Sequence, residues 1–217
     1  MTNTIKTAVT ESTVKAQLNS NLENDIMALG KLYMEGTFKK EETSDIRQKF
    51  ASMELINEIL FYEMQKAYNI KVVFTEDDMY KSAHDMRQKV MESGIMYIFS
   101  GNNTHKYFTP HGNLVFRAVH DILGHLVCGC PFSHKGEISA GMTQRHYYPQ
   151  NLHALLFSEI GLQTSAFYYN GKDFDGIEQR AVELDTEIVK HFYQYETDYS
   201  KNSVLEPLTH LYCKEVK

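Results

Sequence analysis

The chain has 217 residues, 42% of them hydrophobic, which suits a single domain with a real core. Its formal charge of −6 comes with no run of Lys/Arg, which speaks against a phosphate-gripping nucleic-acid binder and for a small-molecule substrate. No 18-residue apolar stretch and no basic-then-apolar leader are visible, and three cysteines make an odd number, so a cytoplasmic protein with reduced thiols and no membrane partner is expected.

Residues 1–11 are polar and are expected to be flexible, with one helical domain over 12–217. Ser12 or Thr13 can cap a first helix in which Val14, Leu18, Leu22, Ile26, Leu29 and Leu32 recur at helical spacing up to Gly36. Thr43 or Ser44 caps a second, with a stripe of Ile46, Phe50, Met53, Ile56, Ile59, Leu60 and Met64. The β-branched run Ile70–Phe74 reads as a strand, and Ile95–Phe99 as its partner in a small two-stranded element. Between them, residues 77–93 read as a helix with Met79, Ala83, Met86 and Val90 inward.

Asn113 can cap a largely apolar, central helix running to about Cys128. Further helices are expected near 137–147, 151–169, 175–197 and 204–212, with breaks at Pro131, Gly136 and Pro149. The fold class is therefore mainly α with a minor two-stranded β element, arranged around the helix that carries HDILGH.

That helix also concentrates the chemistry. Five of the ten histidines lie between His105 and His134. His120, Asp121 and His125 interrupt a greasy helix, where polar side chains are costly unless bonded, paired or bound to a metal. Asp121 and His125 share a helix face, but His120 and His125 are five apart, about 140° around an α-helix. Gly124 allows bending or the close approach of a neighbour. Glu159 sits in the apolar segment LLFSEIGL, with Gln163 four residues on. Two imidazoles and one carboxylate suit iron(II) with open coordination positions; zinc or manganese suit the same donors.

HDILGH followed by FSEIGL, with Thr109-Pro110 upstream, resembles the iron site of the aromatic amino acid hydroxylases. The resemblance spans residues 107–168. It implies His120, His125 and Glu159 as metal ligands and an oxygen-dependent, mononuclear non-haem iron(II) hydroxylase acting on a small molecule. The Glu-Pro-Asp that follows Thr-Pro in that family is absent, and no segment matches the family's pterin contacts, so a pterin is not expected. The order HDxxGH, Gly-Glu, His, Glu, Gln also resembles uncharacterised bacteriophage proteins. It adds Glu137, His146 and Gln163 to the cavity, with Asp121, Glu137 and His146 as catalytic candidates and Gln163 as a binding contact.

Other readings compete. The same polar groups could form a metal-free hydrogen-bonded core, with Glu159 paired to Arg145 or Arg180. The His120-Asp121 doublet also fits a metal-dependent phosphohydrolase of the HD type, with His84 or His105 upstream and Asp185 downstream. A structural metal in a non-catalytic protein is the third possibility. Cys128 and Cys130 read as small buried thiols, and His105, His111 and His134 as solvated loop histidines.

Overall fold

The computed structural model describes residues 8–196 and 205–213. Most of the expected flexible N-terminus and part of the expected 204–212 helix lie outside these residues. The described chain is mainly helical with one small sheet.

Helix α1 (Glu11–Lys15) and α2 (Leu22–Glu35) replace the single expected helix. The break has a local cause. Asn19 accepts from the Asn21 amide, Asp25 from the Asn19 amide and Asn21 from the Asn24 amide, so side chains satisfy backbone that a continuous helix would use. Ser20 adopts φ +69° between them. The α1 cap is Thr10, not Ser12 or Thr13. Residues at the end of the expected flexible segment are thus bonded: Thr10 caps, and Thr37 donates to the Val9 carbonyl.

Helix α3 (Ser44–Tyr68) starts at the Thr43 cap as expected and ends at Asn69 in the left-handed region. Its inward stripe is Ile46, Phe50, Met53, Leu60 and Met64; Ile59 instead faces solvent. Strands β1 (Lys71–Thr75) and β2 (Ile95–Phe99) pair in parallel, Lys71 opposite Ile95 and Thr75 opposite Phe99. A parallel pair needs a crossover, and α4 (Ala83–Ser93) supplies it. Met79 precedes α4 and is exposed, contrary to its expected inward position.

Helix α5 (Pro110–His120) is capped by Thr109, with Pro110 at the first helical position, where its missing N–H costs nothing. Asn113 is therefore inside the helix rather than its cap. The chain then changes register: Asp121–Val127 form a π-helical segment, π1. Helix α6 (His134–Gln144) follows a Ser133 cap. The expected 151–169 helix is real but composite, with α7 (His153–Phe157), a second π segment π2 (Ser158–Leu162) and α8 (Gln163–Tyr169).

Among the described residues of the expected 175–197 helix, α9 (Thr186–Phe192) forms, capped by Asp185, and a 3-10 turn over Tyr193–Tyr195 follows it. Arg180 explains the irregular segment before α9. Its guanidinium holds both carboxylate oxygens of Glu41 and the carbonyls of Tyr33 and Gly36, so this stretch is tied across α2 instead of coiling on itself. Near the end of the described chain only Thr209–Leu211 is a short 3-10 turn.

Two hydrophobic clusters fill the interior. One gathers Phe50, Met53, Met86, Met96, Val119, Ile122 and Leu126 from α3, α4, β2, α5 and π1. The other gathers Leu29, Leu32, Phe157, Leu162, Ile188 and Phe192 from α2, α7, π2 and α9. Each fully buried Leu, Ile or Phe contributes roughly 1.5–3 kcal/mol. Helix α6 stands between them, giving Ala140 to the first and Ile138 and Met142 to the second. Among the described residues no helix is long and apolar enough to cross a membrane.

Candidate metal centre

The π1 segment removes the geometric obstacle noted for His120 and His125. In a π turn each amide bonds the carbonyl five residues back, so residues five apart approach one face. The Cys128 amide shows this register by bonding the Leu123 carbonyl at its exit, and the two imidazole centroids lie 5.1 Å apart. Donor atoms of His120, Asp121 and His125 all fall within 4.8 Å of one another.

Gly124 brings α6 onto this segment. A Cβ at position 124 would stand 2.4 Å from the Ala140 Cβ, so only glycine permits the approach. The contact delivers Glu137, on the first turn of α6, to both imidazoles. His120 Nε2 lies 2.9 Å from Glu137 Oε2, and His125 Nε2 3.3 Å from Oε1. The far nitrogens are also engaged. His120 Nδ1–H donates to Gln144 Oε1 at 3.0 Å, and His125 Nδ1–H donates to the Cys130 carbonyl at 2.9 Å.

The electrostatics follow from this packing. Burial disfavours a charged His125, but the Glu137 carboxylate outweighs it, with a smaller contribution from Asp121, and the imidazole is pushed up to about 9. Burial pushes Glu137 the other way, yet the charge of His125 and bonds from both histidines hold it well below the usual carboxylate range. Asp121 has no such anchor; burial raises it, only partly opposed by His125 and His120.

The remaining expected site residues are elsewhere. Glu159 is buried, but its Oε2 takes His105 Nε2–H at 3.0 Å and Gln163 Nε2–H at 2.6 Å, while Oε1 has no hydrogen-bond partner. It does not pair with Arg145 or Arg180, which hold Glu196 and Glu41. His146 is bonded to Glu196 at 2.5 Å and stacks on Tyr212, away from Glu137. Gln163 serves Glu159 alone among its side-chain bonds.

His105 is not a solvated loop residue. Its side chain is 3% exposed, packed between Phe50 and Phe108, and its Nδ1 accepts the amides of Tyr107 and Phe108. His111 is exposed beside Glu58, and His134 packs its ring against Tyr168. Cys128 and Cys130 are buried as expected.

Gln144 was missed by sequence reasoning. The available signal was its spacing: seven residues beyond Glu137 is about two helical turns, hence the same face.

No known family model, curated protein or solved structure matches the chain. The functional reading therefore rests on the site itself. The upstream histidine and downstream aspartate expected for a phosphohydrolase of the HD type are engaged elsewhere: His84 is exposed on α4, His105 is bound to Glu159, and Asp185 caps α9.

The donor set fits a divalent metal. Two imidazoles present Nε2 to a shared carboxylate, with a second carboxyl, that of Asp121, beside them. Each Nδ1 is anchored to an oxygen acceptor, the outer arrangement that orients a metal-binding imidazole through Nε2.

Proposed function

We propose that the chain is a metal-dependent enzyme, a mononuclear non-haem iron(II) hydroxylase that uses oxygen to modify a small molecule. The observation that carries this is the matched anchoring of His120 and His125. Both keep a proton on Nδ1 against an oxygen, which leaves both Nε2 atoms as the positions that can exchange a proton for a metal.

His120 Nε2, His125 Nε2 and Glu137 are the proposed ligands. Glu137 takes the place that the resemblance to the aromatic amino acid hydroxylases assigns to Glu159, because it lies against both imidazoles while Glu159 is spent on His105 and Gln163. Iron(II) held by two imidazoles and one carboxylate keeps open positions at which oxygen is activated. The protein's own contribution is to hold the ligands, exclude water and manage protons. The apolar packing of Ile122, Leu123, Leu126 and Val127 backs the centre on its inner side, while Glu137 keeps one side open to solvent at 23% exposure. Asp121, raised by burial, supplies a carboxyl that can carry a proton next to the ligands.

The test is elemental analysis of protein purified without oxygen, followed by oxygen-consumption measurement. One iron per chain and oxygen uptake are expected. His125→Ala should lose the metal with its helicity intact; stoichiometric metal in that variant would refute the ligand assignment. Two metals with nucleotidase activity would instead establish hydrolysis, and inert, fully coordinated zinc a structural role.

A further inference from the structure

Helix α3 is apolar on two sides. Its inner stripe of Ile46, Phe50, Met53, Leu60 and Met64 is buried in the core, yet Leu55, Ile59 and Tyr62 point outward and are 69%, 62% and 66% exposed. Single exposed apolar side chains are ordinary, but these three, spaced by four and three, share one helix face. At about 100° per residue, Gln48, Ala51, Leu55, Ile59, Tyr62 and Lys66 all fall within about 40° of one line along the helix. All six are exposed. The seam runs for about 27 Å at about 1.5 Å per residue, apolar in the middle and polar at both ends.

This layout is complementary to itself when reversed. Antiparallel to a second copy, with a two-fold axis midway between Leu55 and Ile59, the seam sets Leu55 against Ile59 of the second copy, Ala51 against its Tyr62, and Gln48 against its Lys66. The smallest of the six side chains thus meets the bulkiest apolar one. The Lys66 ammonium has no ion-pair partner among the described residues, and the pairing carries it within about one turn of Asp45 of the second copy. Glu63 comes opposite Ser52 rather than another charge. Glu58, beside the axis, already holds His111 at 2.7 Å. A parallel pairing would instead set every seam residue against its own copy, with Tyr62 on Tyr62, Ala51 facing Ala51 across a gap and Lys66 against Lys66.

From this self-complementarity we infer that the outer face of α3 is a homodimer interface, covered by antiparallel packing on a second copy of the chain. The inference draws nothing from the proposed metal chemistry. An interface of one helix per copy is small, so association is expected in the micromolar range rather than the nanomolar.

Sedimentation velocity on the full chain, from about 1 µM to about 300 µM, is the first measurement. The wild type should pass from monomer to dimer across this range. Ile59→Glu should raise the dissociation constant at least about tenfold, because its carboxylate would be buried against Leu55 of the second copy. Ile59 makes little contact within its own chain, so the circular-dichroism spectrum and urea midpoint of this variant should match the wild type. That match separates loss of the interface from loss of the fold.

Orientation is read by disulfide cross-linking in a Cys213→Ser background, since Cys213 is exposed while Cys128 and Cys130 are buried. Gln48→Cys and Lys66→Cys chains, mixed under glutathione disulfide, should link to each other, and neither should link to itself when incubated alone.

A wild type that stays monomeric to about 300 µM, or an Ile59→Glu variant that dimerises as well as the wild type, would overturn the inference. So would self-linked dimers of each cysteine variant in place of the mixed product, because they mark a parallel pairing.

Discussion

The ion pair between His125 and Glu137 makes metal-free stability depend on pH in a defined way. His125 is raised from its ordinary value near 6.5 to about 9, so folding favours its charged form. Its contribution is complete below about pH 6.5, fades as pH rises, and is lost above about pH 9. Glu137 is lowered, so its contribution is present above the ordinary carboxylate range and is lost only as pH falls through its folded-state value. The pair therefore stabilises most between about pH 5 and about pH 6.5. At about 1.4 kcal/mol per pH unit, the His125 displacement is worth about 3 kcal/mol, counted once for the pair. The assay is urea unfolding followed by circular dichroism, with a chelator present, at about pH 6.5 and about pH 9.5. Other groups titrate in this range, so the informative quantity is the difference between the wild type and Glu137→Gln. The wild type should lose about 2–3 kcal/mol more than the variant across the interval. Equal losses would show that Glu137 does not hold the His125 charge, and the electrostatic account of the centre would be wrong.

Gly124→Ala should destabilise the protein by about 1–3 kcal/mol in thermal or urea unfolding, because its methyl would collide with Ala140, and it should weaken zinc binding by separating Glu137 from the imidazoles. Glu159→Gln should keep the wild-type metal stoichiometry by elemental analysis, whereas Glu137→Gln should not; the reverse result would return the third ligand to Glu159. His105→Phe should cost about 1–3 kcal/mol in chemical denaturation, since the buried Glu159 carboxylate would lose a donor on the one oxygen that has partners.

Much of the architecture was legible because long periodic stripes overdetermine helices. The α3 helix was found together with its Thr43 cap, and the two strands because β-branched and aromatic residues cluster between turn signals. The errors occurred where side chains compete with the backbone. Asn19, Asn21 and Asp25 break the first helix, and Arg180 pins the stretch before α9, and neither effect appears in hydrophobic periodicity. The importance of His120, Asp121 and His125 was also legible, from polar groups placed in an apolar run. Their convergence was not, because a 3.6-residue period assumes the α register that π1 abandons. Glu137 was named for the cavity, but its contact with both imidazoles depends on the close approach at Gly124 and Ala140. His105 lies in a loop whose sequence looks polar, yet Phe50 and Phe108 pack on its ring and Tyr107 packs on Phe50, a closure that no local pattern announces.

The wide turn at Asp121–Val127 accommodates one residue more than the helix geometry around it would. In a regular α-helix the five-residue spacing of His120 and His125 would turn them about 140° apart, so regularising this stretch with its length unchanged would separate the two histidines. The centre therefore depends on the backbone keeping its less common hydrogen-bond register over Asp121–Val127. In this short segment the regularity of the helix and the chemistry it carries pull in opposite directions.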